Sequence, residues 1–464
     1  MSLQPDHSRS NRWMNELAAS VGDALTTDAD VVSAFSRDHA QLTPSGTALA
    51  LVRATHTDEV VETLRIANRH RVAVVTRGAG TGLAGGANAV DGCIVLSVAG
   101  MRRIIDIDVA QRVARVEPGV INADLASAAA RHDLYYAPDP ASRAISSIGG
   151  NIATNAGGAC CLKYGVTGNH VAALKVVLAD GTIISTGSSV RKNVAGLDLT
   201  SLVVGSEGIL GVVVEATMRL LPAPSAPATV VCYFDDLDAA GAAAGELSRV
   251  SELSLIEIMD RVTLHAVEQV TRMDLDASAA AMLIIQSDGN DHDTVIATCE
   301  TILKRFGGRD MFSTADATEG EMFLHARRSA LPALERLGTV LLDDIAVPVG
   351  ELPAVISAIQ RVGHRHGLTI GTFGHAGDGN LHPTIVFDPA DETSSDAAQV
   401  AFDEIVSLAL AHGGTITGEH GVGRLKTRHL NQMLDDPQLA LMRRIKYAFD
   451  PNGILNPGAL LATP

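Results

Sequence analysis

A glycine-rich segment between two predicted strands restricts the folds open to this chain more than any other feature. The segment Arg77–Ala87 follows a buried strand predicted at 72–76. Its Gly80-Thr-Gly-Leu-Ala-Gly85 portion matches the dinucleotide fingerprint, which in a Rossmann fold opens directly into a long helix. Here a turn at 88–92 leads into another predicted strand instead. We therefore expect a glycine loop between strands, whose backbone amides cradle an anion such as a pyrophosphate.

Two further segments are built from small polar residues and glycine. The loop beginning at Pro138 runs into Ser146–Gly158, where Gly, Ser, Thr and Asn dominate. Such a composition cannot form a core, but it can place amides and small polar groups against a flat polar ligand. Apolar residues recur within it at helix-like spacing, which a flexible linker does not need. The third segment, Gly205–Gly211, precedes an alternating strand that extends to about residue 221.

The second half of the chain has a different pattern. Prolines between Pro222 and Pro227 indicate a domain boundary. Beyond it, predicted strands alternate with predicted helices, which indicates a second α+β domain. The strands are expected at about 229–234, 253–259, 280–287 and 339–347, and the helices at 238–250, 292–306, 350–367, 395–412 and 433–449.

Histidines in this second domain predict a metal site. His375 and His382 flank an Ala-Gly-Asp-Gly-Asn turn with apolar residues on either side, which predicts a β-hairpin. The two sides of a hairpin lie about 5 Å apart, so both imidazoles can reach one ion. Glu419 and His420 follow in a glycine-framed cluster. Two histidines and a carboxylate form a common catalytic set for divalent metals.

Composition excludes several classes of function. The chain has 464 residues, enough for two or three domains, and a formal net charge of −17. This charge and the 3% of aromatic residues argue against nucleic acid as a partner. Five cysteines without a Cys-x-x-Cys pair indicate reduced thiols and no iron–sulfur centre. The polar first ten residues and the lack of a long apolar run predict a cytoplasmic protein without signal peptide or membrane span.

Together these motifs resemble the FAD-linked 2-hydroxyacid dehydrogenases of the vanillyl-alcohol-oxidase-like flavoproteins, from about Ser36 onward and in the family's order. The nearest branch contains D-lactate dehydrogenases, the FAD subunit of glycolate oxidase and D-2-hydroxyglutarate dehydrogenase. The resemblance implies an α+β fold, with a two-subdomain, PCMH-type FAD-binding domain at 1–222. A cap domain with an antiparallel sheet would occupy 223–440, and residues 441–464 would return to the FAD-binding domain.

The resemblance also implies where FAD binds. Many superfamily members attach flavin through a His in the first glycine loop, but none lies between Arg77 and Ala87, so FAD is expected to be non-covalent. The residues expected to contact it are Arg77, Gly78, Ala79, Gly80, Thr81, Gly82, Gly85, Gly86, Pro138, Asp139, Ser142, Ser146, Gly149, Gly150, Asn151, Thr154, Asn155, Gly158, Gly165, Glu207, Gly208, Ile209 and Asn456.

By the same resemblance, His375, His382 and Glu419 match the family's metal ligands and His420 its catalytic base. Zn is the expected metal, and Mn or Fe also fit. A 2-hydroxyacid would chelate the metal, His420 would take its hydroxyl proton, and the Cα hydride would pass to flavin. The family places an Arg for the substrate carboxylate in the helix before 339–347. The aligned spacing favours Arg327 over the adjacent Arg328, which is expected to be a solvated surface charge.

The expected substrate is a D-2-hydroxy monocarboxylate: D-lactate, glycolate or a larger homologue. In the 2-hydroxyglutarate branch a Lys holds the distal carboxylate, and anchoring the strand on Asp344 and Pro348 puts Leu342 at that position. Electrons would pass to a quinone, an electron-transfer flavoprotein or a partner subunit, and that acceptor could bring the protein to a membrane surface. A homodimer is compatible with the resemblance.

Three other functional classes stay open from the sequence. A nicotinamide-dependent dehydrogenase is disfavoured by the missing helix after the glycine loop. A metal hydrolase would leave the glycine loops unexplained. A non-catalytic flavin subunit is disfavoured by the intact Glu419-His420 pair. D-2-hydroxyglutarate dehydrogenase and the FAD subunit of a multi-subunit glycolate oxidase are the alternatives within the family.

Overall fold

The computed structural model describes residues 7–462. Residues 1–6, 463 and 464 lie outside the described residues. The N-terminal segment in which no signal peptide was expected is therefore described only in part. In chain order the strands are β1 (Leu25–Thr26), β2 (Ala50–Arg53), β3 (Val74–Arg77), β4 (Ile94–Ser97), β5 (Ile104–Asp108), β6 (Val113–Val116), β7 (Leu134–Tyr135), β8 (Val171–Val177), β9 (Ile183–Gly187), β10 (Val212–Arg219), β11 (Leu221–Pro222), β12 (Ala228–Phe234), β13 (Leu253–Asp260), β14 (Ala281–Ser287), β15 (Arg309–Thr314), β16 (Thr339–Leu342), β17 (Ile345–Ala346), β18 (Thr369–His375) and β19 (Asn380–Phe387).

The helices are α1 (His7–Val21), α2 (Ala29–Ala34), α3 (Thr57–His70), α4 (Asn122–Ala130), α5 (Ile148–Thr154), α6 (Cys161–Tyr164), α7 (Leu199–Val203), α8 (Leu237–Leu247), α9 (Arg261–Thr271), α10 (His292–Arg305), α11 (Ala317–Arg328), α12 (Ala330–Glu335), α13 (Leu352–His366), α14 (Glu392–Ala411), α15 (Leu430–Met433) and α16 (Asp436–Phe449). Within residues 7–462, none of these combines the length and apolar character needed to cross a bilayer.

Two small sheets form the N-terminal lobe, our name for residues 25–219. The first has the order β1-β2-β4-β3, with β2, β4 and β3 parallel, and Leu455 adds a parallel bridge at Val74 on its β3 edge. The second is antiparallel, with the order β5-β6-β10-β8-β9. The glycine loop joins β3 to β4 without a helix, as predicted. Gly80 and Gly85 have φ of +78° and +75°, a conformation that glycine adopts without strain.

An antiparallel sheet of eight strands dominates the C-terminal lobe, our name for residues 228–433. Its order is β15-β12-β14-β13-β18-β19-β16, with β17 also paired to β19. Because side chains alternate along each strand, the sheet has two distinct faces. One packs against α8, α10, α13 and α14 in the largest apolar core. The other, bearing Met259, Met282 and Phe373, packs against α9, α11 and α12. This fold agrees with the expected two-domain α+β architecture.

Several local predictions need correction. Helix α3 has His56 as its N-cap, and Glu59 Oε2 accepts the backbone N–H groups of Thr55 and His56. Helix α9 and strand β15 were not predicted from the sequence. Strand β15 is an edge strand without a buried residue, and α9 begins directly after β13, where Asp260 caps it.

Candidate active site

Two histidines project from the same face of the β18–β19 hairpin. The register pairs His382 with Phe373 and His375 with Asn380. Since alternate residues share a face, His375, Phe373 and His382 lie on one side of the sheet. The ring centroids of His375 and His382 are 5.2 Å apart, and both residues are buried. The predicted hairpin thus brings the two imidazoles together.

Glu419 meets both imidazoles from the loop after α14. Its Oε1 lies 3.2 Å from His382 Nε2, 3.4 Å from His375 Nε2 and 3.5 Å from His420 Nε2. His420 stacks on His382, with ring centroids 5.0 Å apart and planes 15° from parallel. Three imidazole nitrogens therefore converge on one carboxylate oxygen, and we call these four residues the histidine cluster.

Two overlapping sets of side chains in and beside the cluster place their ligand atoms close enough to share a cation. One is His375, His382 and Glu419; the other is Asp344, His382 and His420. The first set is better suited to an ion. One oxygen of Asp344 already accepts four hydrogen bonds. Its other oxygen accepts the side-chain amide of Asn380.

Glu257, on β13, supports the cluster from behind and was not anticipated from the sequence. Its Oε1 lies 2.6 Å from His375 Nδ1, and its Oε2 lies 2.6 Å from Arg327 Nε. The residue is 1% exposed. Burial raises the pKa of its carboxyl, but Arg327 and His375 outweigh burial and lower it overall. A carboxylate behind a histidine fixes the ring and its tautomer, as seen in metal sites.

Asp344 shapes the loop that carries Glu419. Its Oδ2 accepts the backbone N–H groups of Gly418, Glu419 and His420, each at 2.9 Å. Asn380 donates to its Oδ1. Burial raises the pKa of Asp344, but the positive charge around it, with His420 and Lys426 foremost, lowers it overall. From the sequence, Asp344 served only to align a strand, and this role was not predicted.

A buried ion pair secures the same region. Lys426 Nζ lies 2.7 Å from Asp343 Oδ1 and donates to the carbonyl oxygens of Asp344 and Ile416, each at 2.6 Å. Lys426 is 2% exposed and Asp343 is fully buried. Because an unpaired charge in such a place is costly, both partners are needed together.

Protonation states within the cluster differ from ordinary histidine and glutamate. Burial opposes a charge on His375, but Glu257 and Glu419 raise its pKa well above the usual value. At His382 burial dominates and lowers the pKa to about 4. Burial raises the pKa of Glu419, but the histidines, His375 foremost, hold it well below its usual range. A neutral His382 and an ionised Glu419 are the forms that could bind a cation, whereas His375 would have to release a proton to do so.

The two adjacent arginines have different surroundings. Arg327 is 7% exposed, and its guanidinium lies over the ring of Phe373 with 4.6 Å from Cζ to the centroid. Its Nε stands close to Glu257 without pointing at it, so the contact is one of charge rather than a directed hydrogen bond. Arg328 is partly exposed and pairs with Glu321 at the surface. Arg327 therefore belongs to the cluster's surroundings, and Arg328 does not.

A cleft of about 780 Å³ opens in the N-terminal lobe beside the first glycine loop. Arg77, Gly78 and Ala79 line it together with Ser147, the N-cap of α5. A Cβ on Gly78 would stand 2.4 Å from Ser147 Oγ. Only glycine allows the loop and the start of α5 to approach this closely.

The segment Ser146–Gly158 leads from this cleft to the histidine cluster. Ser147 lines the cleft at one end, and at the other a Cβ on Gly157 would stand 2.7 Å from Glu419 Oε2. Between them, Ser146 Oγ and Asn151 Nδ2 are buried without a hydrogen-bond partner among residues 7–462. The segment therefore connects the wall of the cleft to the surroundings of Glu419.

Two residues expected to touch FAD use their side chains elsewhere. Both carboxylate oxygens of Glu207 accept backbone N–H groups, from Val422 and Gly423, at 2.7 Å. Asn456 Nδ2 donates to the carbonyl oxygens of Gly86 and Glu207, each at 2.8 Å. These side chains hold parts of the chain itself together.

Other residues expected at the cofactor are also partly engaged. Asp139 Oδ1 accepts the N–H of Cys160, Thr154 Oγ1 donates to Gly150 O, and Asn155 Oδ1 accepts the N–H of Gly168. The remaining ones lie in loops and at helix ends of the same lobe: Gly80, Thr81, Gly82, Gly85, Pro138, Ser142, Gly149, Gly158, Gly165, Gly208 and Ile209.

Comparison with known proteins places these features in a family. Residues 223–460 match the model described as FAD linked oxidases, C-terminal domain, and residues 48–187 match the FAD binding domain. The chain is 43% identical over 418 residues to the glycolate oxidase subunit GlcD of Bacillus subtilis, covering 89% of each. It is 32% identical over 454 residues to D-lactate dehydrogenase of Anaerostipes hadrus, covering 95% of this chain and 94% of that one.

The fold is also similar to a crystal structure of p-cresol methylhydroxylase with substrate bound. The TM-score is 0.82 at 18% identity, with 97% of this chain and 96% of that one covered. This likeness agrees with the expected PCMH-type fold.

The two family matches decide between the functional classes left open by the sequence. The glycine loop at 77–87 and the segment Ser146–Gly158 lie inside the FAD-binding match, and the histidine cluster lies inside the oxidase match. The interpretations as a nicotinamide-dependent dehydrogenase and as a metal hydrolase are therefore wrong. The protein is therefore an FAD-dependent oxidoreductase, and this chain belongs to the FAD-linked oxidases.

Proposed function

We propose that this enzyme oxidises a D-2-hydroxy monocarboxylate to the 2-oxo acid, using non-covalent FAD and a divalent metal ion. The main support for this proposal is that three imidazole nitrogens lie within 3.5 Å of Glu419 Oε1. This cluster lies beside the segment that leads from the cleft. A 2-hydroxyacid has a carboxylate and a hydroxyl to offer such a cluster. Two relatives are named as a glycolate oxidase subunit and a D-lactate dehydrogenase, which supports this substrate class.

His375, His382 and Glu419 would hold the metal. Zn is the expected ion, and Mn or Fe also suit two imidazoles and a carboxylate. When bound, such an ion lowers the pKa of a coordinated hydroxyl. Glu257 supports this assignment, because its contact with His375 Nδ1 leaves Nε2 facing Glu419.

His420 would take the hydroxyl proton at Nε2. Its ring stacks on His382, next to the proposed ligands. Burial lowers the pKa of His420, but Asp344 and Glu419 raise it overall. The two carboxylates would therefore stabilise the imidazolium that forms when His420 accepts a proton.

Arg327 would bind the substrate carboxylate. Glu257 and Phe373 hold its side chain in place. Among the residues that the structure describes, no hydrogen bond engages its terminal nitrogens. A guanidinium with free terminal N–H groups can donate two hydrogen bonds to one carboxylate.

FAD would lie in the cleft and along Ser146–Gly158, held without a covalent bond because no histidine lies between Arg77 and Ala87. When bound, flavin accepts the hydride that leaves the substrate carbon, a reaction that no side chain supplies. The chain itself would hold the segment Ser146–Gly158 against the histidine cluster. Gly157 beside Glu419 is the point at which they meet.

The preference for a monocarboxylate rests on Leu342. It pairs with Thr384 on β19, two residues from His382 and on the same face of the sheet. A second carboxylate near this apolar side chain would lose water without gaining a partner, which costs several kcal/mol. D-2-hydroxyglutarate dehydrogenase is the alternative if another cation reaches the site.

Two further points belong to this proposal. The acceptor of electrons would be a quinone, an electron-transfer flavoprotein or a partner subunit, and the name of the Bacillus subtilis relative as a subunit supports the last. We also divide the chain into an FAD-binding domain at 1–222, a cap domain at 223–440 and a returning segment at 441–464.

Anaerobic flavin reduction tests the proposal. Purified protein with FAD is mixed with D-lactate, glycolate, D-2-hydroxybutyrate or D-2-hydroxyglutarate, before and after chelation of metal. We expect the monocarboxylates to bleach the flavin, and chelation to abolish this until metal is restored. Equal reduction after complete metal removal contradicts the metal role, and a higher kcat/KM for D-2-hydroxyglutarate favours the alternative.

A further inference from the structure

The loop Thr417–Gly423 carries Glu419 and His420 but lies outside the helices and strands, so its shape must be imposed by its neighbours. Six successive backbone N–H groups of this loop, from Gly418 to Gly423, all point at side-chain oxygens. The first three bind Asp344 Oδ2, the fourth binds Thr417 Oγ1, and the last two bind the two oxygens of Glu207. Two carboxylates thus determine the course of the loop.

The two carboxylates come from different lobes. Asp344 belongs to the C-terminal lobe, between β16 and β17, whereas Glu207 follows α7 in the N-terminal lobe. Asp344 therefore positions the loop relative to His375 and His382. Glu207 positions the same loop relative to the lobe that holds FAD.

Glu207 is itself firmly held. Its backbone N–H donates to Ala153 O at 2.8 Å, and its carbonyl oxygen accepts from Asn456 Nδ2 at 2.8 Å. Its φ is +50°, a conformation that residues with a side chain seldom adopt and that persists where the surroundings impose it. Backbone and side chain are both engaged, so a shift of this residue is passed on to Val422 and Gly423.

Space around the contact is also restricted. A Cβ on Gly421 would stand 2.9 Å from Glu207 Oε1 and 3.7 Å from a methyl carbon of Thr154. The loop therefore packs directly on Glu207 and on the end of α5. Helix α5 lies within the segment Ser146–Gly158, so the same contact joins the proposed cofactor path to the loop.

We infer that Glu207 is a positioning residue, which sets the distance between the loop bearing Glu419 and His420 and the flavin-binding lobe. The inference rests on the proposed function for its catalytic consequence. A Gln at this position would present an NH2 group to one of the two loop N–H groups, and donor would face donor. A displacement of about 1 Å in an active site can cost roughly 100-fold in rate.

The test compares Glu207→Gln and Glu207→Asp with wild-type protein. The rate constant of anaerobic flavin reduction by D-lactate is measured in FAD-loaded protein, where the amplitude reports the active fraction. We expect the rate constant to fall about 100-fold in Glu207→Gln, consistent with such misplacement. The fall should be smaller in Glu207→Asp, which keeps both acceptor oxygens. A loss of amplitude with an unchanged rate constant would mean a merely structural role and overturn the inference.

Glu268→Gln is the matched control. Glu268 also accepts two backbone N–H groups, from Met273 and Leu275, but it lies in α9 and makes no recorded contact with the loop among the described residues. We expect its rate constant to match wild type. An equal fall in both variants would overturn the specific role of Glu207.

Hydrogen exchange tests the contact without any substrate. In wild-type protein the amides of Val422 and Gly423 should exchange much more slowly than that of Val194, which is 99% exposed. Glu207→Gln should accelerate exchange in the loop but not in β18 and β19. Unprotected amides in the wild type would overturn the inference even if no variant folds. If 2-hydroxyacids fail to reduce wild-type flavin, the proposed function is wrong. Amide hydrogen exchange still shows whether Glu207 holds the loop.

Discussion

The histidine cluster and the glycine-rich cleft are built in opposite ways. In the cluster, side chains hold one another: Glu257 orients His375, and Asp344 fixes the loop that carries Glu419. In the cleft and the segment beyond it, backbone and small side chains form the walls, and Ser146 Oγ and Asn151 Nδ2 lack partners among the described residues. Contacts between side chains therefore set the geometry of the cluster, whereas the backbone sets that of the cleft.

This difference separates catalysis from stability. Loss of one side chain from the cluster should remove activity and leave the fold intact, because the sheet beneath it has its own apolar cores. Loss of FAD should instead lower stability, because a ligand that binds only the folded state stabilises it.

The largest effect is expected from His382→Ala. This change removes the histidine shared by both possible cation sets, so metal binding and nearly all turnover should be lost, while FAD remains bound in the other lobe. Metal content, the flavin spectrum and steady-state turnover check it. His366→Ala, which alters a partly exposed histidine paired with Glu404, is the control. Full turnover of His382→Ala without bound metal contradicts the proposed role.

His420→Ala should retain both metal and FAD and still lose flavin reduction. Loss of a positioned base typically costs about 10²–10⁴-fold in rate. Stopped-flow reduction by substrate measures the change, and metal analysis confirms that the ligands are intact. Reduction at the wild-type rate would place the base elsewhere.

Glu257→Gln examines the support behind the cluster. It keeps the size of the side chain but removes the charge that faces His375 and Arg327. Loss of such a partner typically weakens metal binding about 10–100-fold. Competition with a chelator gives the affinity, and Glu268→Gln serves again as the control. An unchanged affinity would mean that Glu257 serves only the fold.

Removal of FAD should destabilise the protein more than removal of metal. At a ligand concentration 100 times Kd, binding adds about 2.7 kcal/mol to the free energy of unfolding. The cluster retains its internal contacts without an ion, so removal of metal should lower stability less. Thermal unfolding of the FAD-free and the metal-free protein provides the comparison. A larger fall in Tm on metal removal would reverse the contrast drawn here.

The smallest effect is expected from Leu342→Lys. A cation on the face that carries His382 should favour D-2-hydroxyglutarate over D-lactate by about tenfold, which corresponds to roughly 1.4 kcal/mol. The ratio of kcat/KM values measures this, and Leu342→Met, which keeps the position apolar, is the control. No change in the ratio would show that Leu342 does not face the substrate.

Residue types and spacing were enough to predict that His375 and His382 share a hairpin and that Glu419 stands nearby. They could not predict Glu257, because its contact depends on β13 lying beside β18, and strand order is not encoded in local spacing. The signal available was a single internal acid in the otherwise apolar run of a fully buried strand. A buried acid needs a partner, and this alone could have pointed to the cluster.

In the glycine-rich N-terminal lobe, prediction from sequence was limited in another way. Glycine density predicted where a ligand approaches the backbone, but it could not show which side chains the chain uses for itself. Glu207 and Asn456 were expected at the cofactor, and their polar atoms hold the loop and the tail instead. Such contacts join residues more than 200 positions apart, beyond the reach of any local pattern.

The bridge between Val74 and Leu455 has a consequence for biosynthesis. Strand β3 is made early, but the segment that completes its edge follows only at residues 454–456. At ~5–20 residues per second, the ribosome needs on the order of tens of seconds to cover that distance. During this time β3 presents an unpaired edge, which invites pairing with other nascent chains. Slow steps late in synthesis, rather than the chemistry of the site, should therefore limit the yield of folded enzyme when expression is rapid.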